Sequence, residues 1–213
     1  MDELKHIPPP RAIAATFGAI AGLSNMAYAV AEALEGHTRP TAVFFTLNGQ
    51  PAITVLPDML LTGVIGFCLS LTFTLCAILF TKRWQGGLAM LLISCLQIPF
   101  GAGLVRLFQA IIYSLVGTRI DRPLKLWTAI LRQPSRSKFS RLWPASFIVC
   151  AILYVIHVLT GIIPSLTAAE PLRSILISLG GYGNLVFFLL MLACGFAREL
   201  DMQDRRDRTD SSS

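Results

Sequence analysis

The sequence predicts an all-α integral membrane protein with four transmembrane helices. A re-entrant, broken helical hairpin over about 86–117 and a cytoplasmic amphipathic helix over about 122–132 complete the expected fold. Three observations carry this. Hydrophobic residues fill 54% of the 213 positions and charged ones only 14%, against about 25% charged in an average soluble domain. Several apolar runs reach the ~20 residues that cross ~30 Å of hydrocarbon. The basic residues gather between those runs, in the pattern that orients membrane proteins. Lipid headgroups account for the net charge of +6, which calls for no nucleic-acid partner.

The first run, AIAATFGAIAGLSNMAYAVAEAL over 12–34, follows Lys5, three prolines at 8–10 and Arg11. Its basic flank and the tripeptides AYA and AVA are features of a signal peptide. The run outlasts the 7–15 apolar residues of a usual signal, so it reads as a retained helix. Residues 36–54, with several turn formers and one arginine, read as a loop that rests Phe44 and Phe45 at the interface. The second span covers about 55–80 and closes on Lys82, Arg83 and Trp84, cations beside an aromatic as found at membrane edges.

Residues 86–117 number 32, about 48 Å of helix, too long for one ordinary span. Pro99, Gly101 and Gly103 split them into two pieces, each too short to cross. Charge decides the arrangement. Residues 119–141 hold seven basic side chains (Arg119, Arg122, Lys125, Arg132, Arg136, Lys138, Arg141) against Asp121, which assigns them to the cytoplasm. Lys82 and Arg83 belong on the same side, so 86–117 must enter and return. Irregular backbone survives at membrane depth only inside protein or beside a watery cavity. The tip at 99–103 should therefore be enclosed by the other helices.

In DRPLKLWTAILRQPS, Leu124, Trp127 and Leu131 share one helical face, giving the amphipathic helix on the headgroup surface. Spans at 142–164 and 172–197 follow, joined by a short outer turn. The domain is a single membrane unit over 1–200, with a disordered, mixed-charge cytoplasmic tail over 201–213. Both termini fall in the cytoplasm, and the plasma or inner membrane is the expected location. The cysteines (Cys68, Cys76, Cys95, Cys150, Cys194) lie in apolar runs without metal or redox spacing, so they read as small hydrophobes. Nothing in the pattern implies a metal or a cofactor.

Polar groups inside spans are the best functional lead, because each is costly there without a partner or cavity. In the first span Gly18, Gly22, Asn25, Ala29 and Glu32 form one stripe. Asp58, Thr62, Gly66 and Ser70 do so in the second. Trp143, Phe147, Cys150, Tyr154, His157 and Gly161 do so in the fourth, and Ser174, Ser178, Gly181 and Asn184 in the last. Arg106 follows the hairpin tip with Gln109 and Tyr113 on its side, and its permanent charge needs a partner. The candidate ligand-binding set is Arg106, Glu32, Asp58, His157, Asn25 and Asn184, with no catalytic residue assigned. Each has a plainer explanation: Glu32 and Asp58 solvated at the outer boundary, His157 a hydrogen-bonded core residue, Asn25 and Asn184 interhelical glue.

Three functions are compatible with this pattern. The absence of a catalytic or nucleotide-binding motif makes an accessory or structural membrane protein the first expectation. The alternative is a carrier or channel-like binder of a small anionic solute at Arg106, resembling the discontinuous helices of transporters. A chain this short would then need a homodimer or a partner subunit. A membrane-embedded enzyme using Glu32, Asp58 or His157 is the third, without any spacing that defines its chemistry. Anionic lipid headgroups at 119–141 are the expected partners in every case.

Overall fold

The computed structural model of the chain describes residues 7–45, 51–120, 127–128, 133–162 and 184–210. In order they form α1 (Pro9–Leu34), β1 (Val43–Phe45), β2 (Pro51–Thr54), α2 (Met59–Leu75), α3 (Trp84–Gln97), β3 (Phe100–Gly103), α4 (Leu104–Gly117), α5 (Gln133–Ile162) and α6 (Asn184–Asp210). A π-helical turn, Cys76–Phe80, continues α2 without interruption. Among the described residues, three helical stretches are long and apolar enough to cross a membrane: Pro9–Leu34, Met59–Phe80 and Arg136–Thr160. Large apolar side chains such as Leu23, Leu92, Ile152 and Val186 stand more than half exposed, a surface that suits lipid.

Local chemistry sets the helix ends. Pro9 and Pro10 occupy the first turn of α1, where their missing N–H groups cost nothing. Gly36, at φ +68°, follows its last turn and donates to the Ala33 carbonyl at 3.1 Å, a left-handed stop that favours glycine. Asp58 caps α2, its carboxylate accepting from Leu61 N–H at 3.2 Å.

Small residues allow the helices to touch. A Cβ on Gly63 would lie 2.4 Å from Ala33 N and 2.5 Å from Ala29 O, so α2 meets the backbone of α1. A Cβ on Gly87 would lie 2.2 Å from the carbonyl carbon of Gly117. The start of α3 and the end of α4 therefore adjoin, and the two helices fold back on one another. A Cβ on Gly117 would in turn sit 3.2 Å from the Ala14 Cβ, and one on Gly195 would meet Trp143 and Ile13. At the centre the Phe17 ring packs on Tyr113, Phe147, Tyr154 and Phe188 at 5.5–6.1 Å between centroids.

Three features differ from the expectation. The segment read as a loop contains β1 and β2, which join β3 in an antiparallel sheet of order β1-β2-β3. Its cause is the break at 99–103, where backbone that cannot be helical takes its hydrogen bonds from β2. Next, α6 runs on to Asp210, past the expected domain boundary at 200. Arg136, counted among the lipid-facing cations, is buried there and bonds Asp204 at 2.7 Å, with Asp201 at 4.0 Å. Finally, Trp127 stacks on Phe196 of α6 at 4.5 Å. The remainder of the expected amphipathic helix, and the 172–183 part of the last span, lie outside the described residues.

Gly63→Ala should lower stability by roughly 1–3 kcal/mol, since its methyl meets backbone that cannot yield. Gly18→Ala, whose Cβ first meets the flexible end of Met90 at 2.6 Å, should cost less. Thermal unfolding of the two variants in detergent checks the order.

Candidate functional site

Polar side chains from α1, α2 and β2 converge on β3. Thr54 of β2 and Thr62 of α2 share a hydrogen bond at 3.0 Å, and the Thr54 hydroxyl also accepts from Leu56 N–H. Thr62 further donates to the Asp58 carbonyl at 2.9 Å. Gly101 has φ +83°, a conformation that glycine takes without strain. A Cβ there would lie 2.7 Å from Glu32 Oε2 and 2.9 Å from Thr62 Cγ2. Glycine thus lets the buried Glu32 carboxylate approach the tip backbone.

Deeper in the bundle, Gln97 ends α3 and is 1% exposed. Its Nε2 donates to Ser70 Oγ at 3.3 Å, and Ser70 donates to the Gly66 carbonyl at 2.7 Å. Gln97 Oε1 is buried without a hydrogen-bond partner. Asn25, on α1, is 5% exposed, and neither its Oδ1 nor its Nδ2 has a hydrogen-bond partner among the described residues. A buried polar group left unsatisfied costs about 1–3 kcal/mol.

Contacts on either side fix the level of Asn25. Gly22 abuts Thr74, and Ala29 abuts Gly63 and Gly66, so Asn25 falls opposite the Ser70 region of α2. On α4, Gly117 adjoins Ala14 and Tyr113 adjoins Phe17. Running these antiparallel helices onward by turns brings Ala110 level with Ala21 and position 106 level with Asn25. His157 lies one turn beyond Tyr154 on α5. The Arg136–Asp204 and Trp143–Gly195 contacts set the register that brings Asn184 to its level. The side chains of Arg106 and Asn184 lie outside the described residues.

The expected set therefore divides. Asn25 and Glu32 are buried in the seam, the backbone at 106 reaches its level, and His157 is half-buried on α5. Asp58 stands apart as a helix cap. His37 Nδ1 lies 2.6 Å from its Oδ2, and that hydrogen bond is the main reason its carboxyl is held below its ordinary pKa. Gln97 and Thr54 were not singled out by sequence. Gln97 carried a signal, being an amide at the end of an apolar run just before the proline break. Thr54 carried none, because its role depends on a strand. Among the described residues no group of three His, Cys, Asp or Glu side chains is placed to hold a metal ion, and all five cysteines are free. Comparison with protein-family models, curated proteins and solved structures finds no match to this chain.

The Asp58 pair makes a pH prediction. A carboxyl with a lowered folded pKa contributes stability that is complete above its unfolded value and is lost as pH falls through the folded one. Thermal stability should therefore decline below about pH 4, the ordinary carboxyl range. Asp58→Asn, which keeps a capping side chain, should flatten that decline in melting curves between about pH 2 and 6.

Proposed function

We propose that this chain is a multi-pass protein of the plasma or inner membrane whose polar seam, around Asn25, Gln97 and the tip at 99–103, binds a small solute. The observation that carries the reading is the Asn25 amide, enclosed in the bundle with neither end hydrogen-bonded. An asparagine acting as interhelical glue would reach a neighbouring group, so this one favours a guest over the accessory role. Its donors and acceptor, the free Gln97 acceptor and the level of Arg106 suit a small anion bearing hydroxyl or carbonyl groups. Asp58, committed to its cap and to His37, gives the enzyme reading no support.

The proposed topology has four crossings, α3–β3–α4 as a re-entrant hairpin, and both termini with 119–141 in the cytoplasm. Its support is the gathering of charge. Arg11, Lys82, Arg83, Arg119, Lys138, Arg141 and Arg198 belong to segments that the Gly87–Gly117, Gly117–Ala14 and Gly195–Ile13 contacts link at one end of the bundle, as the positive-inside rule requires.

The solute site is tested with Asn25→Leu, which removes the orphaned amide and keeps comparable volume. The variant should be as stable as the parent or more so, by up to about 1–3 kcal/mol. It should also lose the rise in melting temperature that a bound anion gives the parent in a thermal-shift panel of phosphate, sulfate and small hydroxy-carboxylates. A destabilised variant, together with a parent that responds to no member of the panel, would return the chain to the accessory reading. For topology, single cysteines at positions 137 and 167 in a cysteine-free background should label from opposite faces of the membrane. Labelling of position 137 from outside would reverse the orientation.

A further inference from the structure

The π-helical turn at Cys76–Phe80 and the beginning of α3 enclose a groove of about 460 Å³ at the basic end of the bundle. Apolar Cys76, Leu79, Phe80 and Ala89 line it together with the cations Lys82 and Arg83. The turn explains the space. A π-turn takes one more residue per loop than an α-turn and so is wider. The chain then reverses so tightly that a Cβ on Gly86 would lie 2.1 Å from the Phe80 carbonyl oxygen. Leu79 and Phe80 are 54% and 61% exposed. An apolar slot roofed by two cations matches one kind of molecule: acyl chain below, phosphate above.

We propose that this groove is a binding site for one anionic diacyl phospholipid, its phosphodiester held by Lys82 and Arg83 and one acyl chain laid along Leu79, Phe80 and Ala89. Two neighbouring cations at headgroup level each attract an anionic lipid appreciably, and the guanidinium can grip a phosphate through two parallel hydrogen bonds. The site is separate from the solute seam. It requires only that this end of the bundle lies at a headgroup surface, in whichever leaflet.

The test uses the full chain purified in a neutral detergent, with native mass spectrometry and thermal unfolding as readouts. Dioleoyl phosphatidylglycerol should be retained at one molecule per chain and raise the melting temperature saturably. Dioleoyl phosphatidylcholine, with the same chains and no net charge, should bind about tenfold more weakly or worse, in line with the charge term. Soluble glycerol phosphate should neither bind nor compete. Lys82→Gln with Arg83→Gln should lower phosphatidylglycerol affinity about tenfold. Ala89→Phe, which fills the slot and keeps both charges, should do likewise while leaving helix content by circular dichroism unchanged. Equal retention of the two lipids, competition by glycerol phosphate, or phosphatidylglycerol binding undiminished in a folded variant of either kind would overturn the proposal.

Discussion

Backbone hydrogen bonding at the α3–α4 break is the constraint on which the rest of this structure depends. Phe100 lies at the level of Gly66, within the length of the apolar helix α2, where buried backbone groups must find their hydrogen-bond partners in the protein itself. Strand β2 meets the need: Ala52 and Thr54 pair with Gly103 and Phe100, and Val55 N–H donates to the Pro99 carbonyl at 3.1 Å. To hold β2 there, the segment between α1 and α2 is tied down at both ends. Leu60 N–H bonds the Gly36 carbonyl at 2.9 Å and Met59 N–H the Thr38 carbonyl at 3.1 Å. The Asp58 cap, the His37 pair and the left-handed Gly36 follow from that same fastening.

Helix α1 carries the polar chemistry because it touches most of the other helices. Its stripe combines two demands that seldom coincide. Gly18 and Gly22 let α2 approach so closely that a Cβ on Gly22 would lie 2.1 Å from Thr74 Oγ1. Asn25 and Glu32 then carry an amide and a carboxylate into the interior that the glycines have closed. Close packing excludes water, which raises the cost of any polar group left without a partner.

Features with local causes were legible in the sequence. The break could be read because proline removes a donor and positive φ favours glycine. The stripe of Gly18, Gly22, Asn25, Ala29 and Glu32 could be read from helical spacing, and all five are buried. The sheet was not legible: VFF and PAIT are three and four residues long and show no alternation, and PAIT pairs with β3 some fifty positions away. Arg136 misled for a related reason. Charge counting treats an arginine as headgroup-facing, and only the course of α6 brings Asp204 to it. Gln97 lay between these extremes, visible as a polar residue but with Ser70 known only once α2 and α3 were side by side.

The dependence of β3 on β2 also bears on how the protein is made. At 14 residues apiece, about 21 Å each, α3 and α4 are poor substrates for insertion as independent spans. Synthesis from the N-terminus produces α1, β1, β2 and α2 first, so the strand that receives β3 exists before the hairpin emerges. The first eighty residues thus serve as a template for the next forty, and α5 and α6 close over the finished half. A permuted chain that began at α3 would make β3 before the strand that pairs with it.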